Sequence, residues 1–361
     1  MNTQSEASPS LLTRAEGANG TTHVTTPRIA VVGTGNWGIN LVRTFKQLGL
    51  LHSCCDVEPT RLEKARAIAP SAKLTSSYDE VLSDRDVDAV VIAAPAALHY
   101  QLARKALESG RPVFVEKPLT MSVRDARALI DIAHKKNLVL MVGHLLRFHP
   151  AVAKLRQLID AGELGDIYYV YSQRVNLGTI RRDENALWSF APHDIAIILY
   201  LLGDKIETVT ARGASYLQKG VEDVTFVNIR YSDRRMAHIQ VSWLDPYKER
   251  RFTIVGSKKM ATFDDMNPTE KIKIYDKGVQ PKSYDSYGEY LALRVGDIHI
   301  PQIEAVEPLQ IECRHFVECL REGKEPLTNG QDGLDVVRVL EVAQKSLRND
   351  GIPVRWNGGN V

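Results

Sequence analysis

A glycine-rich turn near the start of the chain constrains its fold more than any other feature. Residues Ile29–Val32 are all apolar, which is typical of a strand buried in a parallel sheet. The next six residues, Gly33–Gly38, match the pattern G-x-G-x-x-G. Apolar residues then recur at helical spacing until Gly49. The pattern therefore lies at a strand-to-helix turn, which is the position of a dinucleotide-binding fingerprint.

The three glycines of this turn have different predicted roles. Gly33 permits the tight turn, Gly35 lets the backbone approach a pyrophosphate, and Gly38 lets the helix pack on the strand. Asn36 and Trp37 lie at the predicted helix N-terminus, where free N–H groups attract phosphate. The turn thus predicts a binding site for a dinucleotide cofactor.

An acidic residue after the second strand indicates which dinucleotide is bound. The apolar run Leu50–Cys55 ends in Asp56, roughly 20 residues beyond the turn, where a carboxylate bonds a ribose hydroxyl. A 2′-phosphate would be repelled there, so Asp56 favours NAD over NADP. The alternative is that Asp56 is only a turn or helix-capping acid before Pro59.

Length, composition and charge are those of an ordinary globular protein. The chain of 361 residues is long enough for two domains, and 44% of it is apolar and 25% charged. The net charge of +2 gives no reason to expect nucleic acid or a membrane surface as a partner. No run of about 18 apolar residues is present, so no membrane span is predicted. Residues 1–27 are rich in Ser, Thr, Asn, Ala and Gly and are predicted to be a disordered tail.

The four cysteines indicate a reducing compartment. Cys54 and Cys55 are adjacent in a predicted strand, while Cys313 and Cys319 lie in an apolar helix. Because no metal-ligand spacing surrounds them, they are predicted to be reduced core thiols, with no disulfide and no metal site. The tail also lacks the apolar core of a signal peptide, so the protein is expected to be cytoplasmic.

The pattern of predicted elements places the chain in the α/β class. Residues 28–145 alternate between strands and helices, which indicates a Rossmann-type, doubly wound parallel sheet. Residues 146–361 contain strands of alternating polarity, such as the one with Ala237 and Ile239 on one face. They predict an α+β domain with an open, mostly antiparallel sheet, whose uncovered face suits a partner subunit. Residues 277–303 lack periodicity and are predicted to be a long loop or arm.

Two further strand ends carry residues suited to a cofactor or a reaction. Ligands of open α/β sheets bind outside the carboxyl ends of the strands. Ala94, Pro95 and His99 belong to a loop at one such end, and this loop is predicted to pass over the dinucleotide. Glu116 and Lys117 lie at the next one, and both are predicted to contact the cofactor. Lys117 also suits a hydrogen bond to a reacting hydroxyl, where it would stabilise the developing oxyanion; the alternative is a solvated surface lysine.

The second domain offers a candidate general base. His193 follows Pro192 near the start of a predicted helix over residues 190–202, and its side chain titrates near neutrality. It suits removal of a proton from an alcohol, although a lone histidine near a helix start is commonly structural.

Polar residues around His193 in the sequence are candidates for binding the substrate. Arg181, Asn176 and Asn185 lie between a predicted strand and the His193 helix, and Arg147 follows the last predicted Rossmann strand. Guanidinium groups bind carboxylate and phosphate bidentately. The alternative for the arginine-rich stretch is a solvated charged loop.

In the order of these motifs, the chain resembles the glucose–fructose oxidoreductase and inositol dehydrogenase superfamily (Gfo/Idh/MocA). The resemblance runs from about Arg28 to the last helix and includes E-K-P at residues 116–118. It implies an NAD(P)-binding Rossmann half and redox chemistry at a ring hydroxyl of a sugar or cyclitol. Many members carry Asp four residues before the histidine, whereas this chain has Ser189 there. The departure implies that Lys117 and His193 do more of the chemistry.

A narrower resemblance covers residues 36–43, 143–150 and 175–194. These segments are similar to the UDP-N-acetylglucosaminuronate (UDP-GlcNAcA) 3-dehydrogenases, which supply 3-amino sugars for bacterial surface polysaccharide such as the O-antigen of lipopolysaccharide. The resemblance implies NAD, a nucleotide-sugar substrate, and a 3-keto product that an aminotransferase consumes. It also implies a homotetramer formed through the open sheet, with a dimer as the alternative.

Other functions stay open at this point. Within the same superfamily, the chain is compatible with another sugar or cyclitol dehydrogenase, or with a sugar 3-ketoreductase that runs the step backwards. A binding protein that senses NAD without turnover is an alternative of another class. A sensor needs neither Lys117 nor His193, so their presence favours an enzyme.

Overall fold

The computed structural model describes residues 14–16, 22–24, 26–281 and 291–356. Within the predicted tail, strands β1 (Arg14–Glu16) and β2 (Thr22–Val24) pair antiparallel. The polar composition of this segment gives no signal for that pairing. No helix in the described ranges is long and apolar enough to cross a membrane.

A six-stranded sheet forms the nucleotide-binding half, and the pairings of β3 with β4 and β6, of β4 with β5 and of β6 with β7, whose ranges follow, are parallel. Its strands are β3 (Ile29–Val32), β4 (Leu51–Cys55), β5 (Lys73–Thr75), β6 (Ala89–Ile92), β7 (Val113–Glu116) and β8 (Leu140–Gly143). The order β5-β4-β3-β6-β7-β8 confirms the predicted doubly wound sheet. The chain reverses its direction of travel across the sheet at β3, which places the glycine turn at a topological switch point.

Helices connect these strands in the expected βαβ manner. They are α1 (Gly38–Gln47), α2 (Pro59–Ile68), α3 (Tyr78–Ser83), α4 (Ala96–Glu108) and α5 (Val123–Lys136). The short strand β5 is the one element of the sheet that sequence analysis missed, because three residues carry too little periodicity to detect.

A nine-stranded sheet dominates the second half. Its members are β9 (Ile167–Leu177), β10 (Ile206–Ala214), β11 (Val224–Tyr231), β12 (Met236–Ser242), β13 (Leu244–Gly256), β14 (Met260–Asp264), β15 (Ile272–Tyr275), β18 (Ile298–His299) and β19 (Val354–Arg355). Strands β9 and β12 pair in parallel, while the other described pairings are antiparallel. The sheet is therefore mixed but mostly antiparallel, as predicted.

Buried and exposed residues alternate along the strands of this sheet, so one of its faces is buried. In β12, Ala237, Ile239 and Val241 are at most 1% exposed, whereas Met236 is 51% exposed on the other face. Part of the predicted arm forms strands β16 (Gly278–Pro281) and β17 (Leu291–Arg294), which pair antiparallel; residues 282–290 lie outside the described residues.

The remaining helices follow residue 145 in the sequence. They are α6 (Pro150–Asp160), α7 (Ala186–Leu202), α8 (Pro308–Glu322) and α9 (Gly330–Arg348), and a 3₁₀ turn covers Leu145–Phe148. Helix α7 begins four residues before the predicted start. The Asn185 side chain caps it by accepting the Trp188 N–H at 3.2 Å, so Pro192 lies in the second turn and not the first.

The chain divides into two compact units whose boundaries differ from a single cut at residue 145. Unit 1 consists of Met1–Glu116, Ala128–Met141 and Glu312–Asn329. Unit 2 consists of Lys117–Arg127, Val142–Ile311 and Gly330–Val361. The return of the chain into unit 1 through the end of α8 is a tertiary feature without a composition signal.

Candidate active site

The glycine turn has the geometry that a pyrophosphate requires. Gly33 has φ +89°, and a Cβ there would lie 2.6 Å from the Ala94 backbone nitrogen. A Cβ on Gly38 would overlap the Gly33 carbonyl oxygen, so the helix can approach the strand only with glycine. Beside Gly35, by contrast, the nearest atom to such a Cβ is Arg61 Nη1 at 4.0 Å. These residues fit a dinucleotide, because close packing requires two glycines and the third faces open space.

Asp56 is buried and holds the turns on either side of it. Its Oδ2 accepts the Thr34 backbone N–H at 2.7 Å, and its Oδ1 accepts the Glu58 N–H at 3.0 Å. Arg61 Nη1 lies 3.6 Å from Oδ1. Asp56 therefore has the alternative role of an acid that stabilises a turn. Its contact with a ribose stays a prediction.

Trp37 and Glu116 form a polar contact within unit 1. The Trp37 indole N–H donates to Glu116 Oε1 at 2.5 Å, while 40% of the Trp37 side chain stays exposed. Glu312 is fully buried, and neither of its carboxyl oxygens has a hydrogen-bond partner in the described part of the chain. Burial, reinforced by the neighbouring Glu116 carboxylate, raises the pKa of Glu312 well above its ordinary value. Glu312 therefore keeps its proton to a higher pH than an exposed glutamate does.

The loop after β6 is fixed by its histidine. His99 is buried, and its Nε2 lies 2.9 Å from the Ala94 carbonyl oxygen. Pro95 is exposed at the N-cap of α4, and Asn36 is likewise exposed in the glycine turn. His99 therefore shapes the loop, and the exposed residues of the loop and turn stay the predicted cofactor contacts.

Lys117 is held against the His193 helix, α7. Its Nζ donates to the Ser189 carbonyl oxygen at 3.0 Å. Lys117 is thus held by a backbone carbonyl one helical turn before His193.

His193 is neutral and lies in a cationic environment. Its ring keeps some exposure, but its Nδ1 is enclosed without a hydrogen-bond partner among the described residues. Burial, and then the charges of Lys117 and Arg174, lower the pKa of the imidazole well below its ordinary value. Arg174 is itself fixed by two bonds to Asp194, at 2.7 and 3.3 Å. A neutral imidazole next to an ammonium group can accept a proton from an alcohol whose oxygen the ammonium binds.

A second histidine, which sequence analysis did not select, belongs to the same cluster. His144 directly follows β8 and is 1% exposed. Burial, and then the charges of Arg147 and Lys117, lower its pKa to about 3. The rule that ligands bind beyond the carboxyl ends of parallel strands could have identified it, since Gly143 ends the last strand of the sheet.

Arg147 lines a cavity of about 300 Å³ within unit 2, together with His144, Tyr200 and Asp332. Its Cζ lies 3.9 Å from the Tyr200 ring centroid, and its Nη1 lies 3.4 Å from Asp332 Oδ1. The short 3₁₀ turn that carries Arg147 ends at His149, whose Nδ1 accepts the Ala151 N–H and starts the next helix. The structure therefore places Arg147 near the Lys117 and His193 cluster through His144.

The other predicted substrate residues lie elsewhere. Arg181 is half-exposed and its Nε lies 3.0 Å from Glu184 Oε1. The Asn185 amide donates to Glu222 at 2.6 Å and to Gln344 at 3.0 Å, and it lines a second cavity of about 820 Å³. Asn176 is half-buried near the end of β9. None of the three lines the Arg147 cavity, so their convergence on one substrate stays a prediction.

We expect this protein to bind NAD more tightly than NADP, because a 2′-phosphate would meet the Asp56 carboxylate. Replacing Asp56 with Ala should weaken NAD binding by about 10- to 150-fold, the scale of a lost charge-assisted hydrogen bond, and reduce the preference. Calorimetric titration of both cofactors measures this. Asp56→Asn is the matched variant, because it retains an acceptor for the Thr34 N–H. Tighter NADP binding by the wild type would contradict the prediction.

Comparisons with known proteins agree with the fold and with the cofactor. A family model described as the NAD-binding Rossmann fold of the Gfo/Idh/MocA oxidoreductases matches residues 27–144. The model of the C-terminal domain of the same family matches residues 152–262. Together they span most of the two halves that carry the glycine turn and the His193 helix.

Two curated relatives extend the match over most of the chain. An uncharacterized oxidoreductase of Streptococcus pneumoniae is 31% identical over 68% of this chain and 71% of its own length. The scyllo-inositol 2-dehydrogenase (NAD(+)) of Bacillus subtilis is 28% identical over 91% of this chain and 96% of its own.

Solved structures share the fold. The UDP-N-acetylglucosamine 3-dehydrogenase GnnA of Acidithiobacillus ferrooxidans has a TM-score of 0.77 at 24% identity and covers 89% of this chain and 98% of its own. The WlbA dehydrogenase of Bordetella pertussis, crystallised with NADH and UDP-GlcNAcA, has a TM-score of 0.75 at 23% identity over 91% and 98%. Since both halves of the sequence match one family and the glycine turn fits its cofactor, this chain is an NAD-binding member of the Gfo/Idh/MocA oxidoreductases.

Proposed function

We propose that this protein oxidises the 3-hydroxyl of a nucleotide sugar with NAD, and that its substrate is UDP-GlcNAcA. The observation that carries the proposal is the cluster in unit 2, where a neutral His193 adjoins Lys117 and arginines lie nearby. The Lys117 ammonium suits an acidic sugar better than a neutral one, because its charge stabilises a carboxylate, whereas Arg174 is already paired with Asp194. The likeness to WlbA, which was crystallised with UDP-GlcNAcA, supports the same substrate class.

The residues of the cluster divide the chemistry between them. Lys117 binds the oxygen of the reacting hydroxyl and stabilises negative charge on it. His193 removes the hydroxyl proton, which a neutral imidazole can accept. The turn of Gly33, Gly35 and Gly38 would hold NAD, which would supply the acceptor for the hydride of C3. The carbon–oxygen bond becomes a carbonyl, so the product is a 3-keto sugar. Its fate would be transamination on the way to surface polysaccharide, including the O-antigen of lipopolysaccharide.

The open sheet supports a proposal about assembly. Tyr169, Phe226 and Met236 are between 40% and 51% exposed on strands of this sheet. Exposed aromatic and apolar side chains of this kind are characteristic of interfaces between subunits. We therefore expect a homotetramer, with a dimer as the alternative, in the cytoplasm. Light scattering of the purified protein measures the assembly.

Arg181 tests the assignment of an acidic substrate. The wild type should prefer UDP-GlcNAcA over UDP-N-acetylglucosamine by about 10- to 150-fold in kcat/KM, the scale of one charge-assisted bond. Arg181→Ala should reduce this ratio, mainly by weakening the acidic sugar. NADH absorbance measures both substrates on both proteins. Arg104→Ala is a matched control, because it removes an arginine of similar exposure that is also paired with a glutamate nearby in the sequence, Glu108 at 2.7 Å. Equal rates on the two sugars in the wild type would refute the uronate assignment.

The scyllo-inositol dehydrogenase relative favours one competing function, a cyclitol dehydrogenase of the same family. The same absorbance assay with scyllo- and myo-inositol separates the two. Oxidation of an inositol at a higher kcat/KM than either nucleotide sugar would establish that alternative. Turnover of any of these compounds would exclude an NAD sensor without catalysis.

A further inference from the structure

Arg250 is a third cation of the cluster around His193. It lies on strand β13, directly opposite Arg174 on strand β9. Residues in this relation have their side chains on one face of the sheet, with Cβ atoms about 5 Å apart. Arg174 contacts Asp194, the residue that follows His193, and the charge of Arg250 is among those that lower the pKa of His193. Arg250 therefore lies on the same face of the sheet as the candidate catalytic residues of this unit.

The guanidinium of Arg250 has fewer partners than that of Arg174. Its only polar contact with the described residues joins Nη1 to Asp265 Oδ2 at 3.4 Å, while Nε is enclosed without a hydrogen-bond partner. The other oxygen of Asp265 lies 3.8 Å from His149 Nε2 and 3.9 Å from Lys271 Nζ, so three cations share this carboxylate. The Arg250 side chain is 38% exposed, so its charge and its remaining N–H groups can be reached by a ligand.

This arrangement is unfavourable in a protein without a ligand for it. Like charges directly opposite each other on neighbouring strands destabilise a sheet, and an enclosed N–H group without a partner also costs free energy. The strand pairing is irregular beside Arg250, because its register shifts between Leu244 and Glu249. Such bulges are over-represented next to active sites, where they redirect a side chain. These features favour a role for Arg250 in binding over a role in stability.

An oxyanion is the ligand that suits a guanidinium, since carboxylate and phosphate both accept its N–H groups in pairs. The proposed substrate carries two anionic groups. Its carboxylate has been assigned to Arg181, whereas its diphosphate has no assigned residue. The diphosphate is attached to C1 of the sugar, which a single ring carbon separates from the reacting C3. A cation beside the base that deprotonates the 3-hydroxyl is therefore suitably placed for the diphosphate.

We propose that Arg250 binds the diphosphate of the nucleotide-sugar substrate beside His193, and that Asp265 holds the guanidinium in position through Nη1. The inference rests on the proposed function, because it takes the substrate to be a nucleotide sugar. It adds a residue that recognises the part common to all nucleotide diphosphate sugars. Arg250 would therefore favour these compounds over free sugars and inositols, which have no phosphate.

The test is a calorimetric titration of the full chain with UDP, uridine and D-glucuronate. NADH is present throughout, so that UDP cannot occupy the dinucleotide site. Arg250→Ala should bind UDP about 10- to 150-fold more weakly than the wild type, the scale of a lost charge-assisted hydrogen bond. Uridine and D-glucuronate, which lack phosphate, should bind equally to both proteins. Arg250→Lys retains the charge but not the fork of N–H groups, so its loss of UDP affinity should be intermediate.

Arg251→Ala is the matched control. Arg251 is the next residue of β13, so its side chain lies on the opposite face of the sheet, where it pairs with Glu249 at 3.1 Å. Its UDP affinity should equal that of the wild type, and equal losses in the Arg250 and Arg251 variants would contradict the proposal. Thermal unfolding checks that each variant is folded. If Arg250→Ala does not fold, Arg250→Lys decides, and wild-type UDP affinity in that variant would contradict the proposal.

The other outcomes are equally definite. The proposal is wrong if the wild type does not bind UDP, or if a folded Arg250→Ala protein binds it as the wild type does. A loss of affinity for D-glucuronate in place of UDP would assign Arg250 to the sugar carboxylate and overturn the diphosphate contact.

The titration and the turnover assay fail independently, because UDP binding needs no oxidation step. If UDP binding depends on Arg250 and no nucleotide sugar is oxidised, the proposed function is wrong and the contact stands. If UDP-GlcNAcA is oxidised and its KM is unchanged in Arg250→Ala, the contact is wrong and the function stands.

Discussion

Lys117→Ala is expected to lower kcat by about 10²-fold or more while NAD binding stays intact. The loss follows from the role of Lys117, since an ammonium that binds a developing oxyanion contributes on this scale. The side chain is partly buried and donates to the Ser189 carbonyl at 3.0 Å, so it is held close to the His193 helix and not free in solvent. The measurement is NADH formation under saturating substrate, together with a calorimetric titration of NAD.

Controls separate chemistry from stability in this variant. Lys105→Ala removes an exposed lysine whose partner is Asp79 at 3.2 Å, and its turnover should match the wild type. Thermal unfolding of Lys117→Ala checks that the loss of the Ser189 contact leaves the protein folded at the assay temperature. A folded Lys117→Ala protein with near-normal turnover would mean that Lys117 is structural.

His193→Ala is also expected to lower kcat by about 10²-fold or more, because it removes the base that accepts the hydroxyl proton. The pH dependence of the wild type offers a second test. Since burial and neighbouring cations lower the pKa of His193 well below its ordinary value, the ring stays neutral as the pH falls through 6.5. The acid limb of kcat/KM should therefore lie below pH 6.5, and an acid limb at or above this value would contradict the assignment.

The same shift has a consequence for stability, with a definite sign. In the unfolded chain His193 takes up a proton near pH 6.5, whereas in the folded protein it does not. The unfolded state thus binds more protons as the pH falls below 6.5, so the free energy of unfolding decreases there. His144 acts in the same direction between pH 6.5 and about 3. In His193→Gln the decrease between pH 7.5 and 5 should be smaller, and urea unfolding at the two pH values measures it.

Most of the fold was predictable because its signals are local. Uniformly apolar strands such as Ile29–Val32 indicate a buried parallel sheet. Strands of alternating polarity such as Met236–Ser242 indicate a mostly antiparallel sheet with one buried face. Errors occurred where local signals compete. Pro192 suggested a helix start, yet the helix begins at Ala186 because the Asn185 cap and an apolar first turn decide it.

The candidate site was predictable only in part, because some of its residues depend on neighbours that are far away along the chain. Lys117 and His193 follow from their places at a strand end and near a helix start, which are local features. His144 and Asp332 do not, because their relevance comes from burial and from a neighbour. Asp332 is 185 residues from Arg147, and no spacing in the sequence relates the two. Similarly, the raised pKa of Glu312 results from burial and then from the charge of Glu116, which is far away in the chain.

The sequence by itself determined the dinucleotide-binding turn, because a tight turn, a close approach of backbones and a helix N-terminus are properties of adjacent residues. Gly33, Gly35 and Gly38 identify it in the sequence, and folding adds the Ala94 backbone that leaves no room for a Cβ at Gly33. Only the tertiary structure decided which ionisable groups are neutral and which cavity they line. Protonation depends on desolvation and on charges brought near by folding, and both are set by segments that meet only in the folded protein.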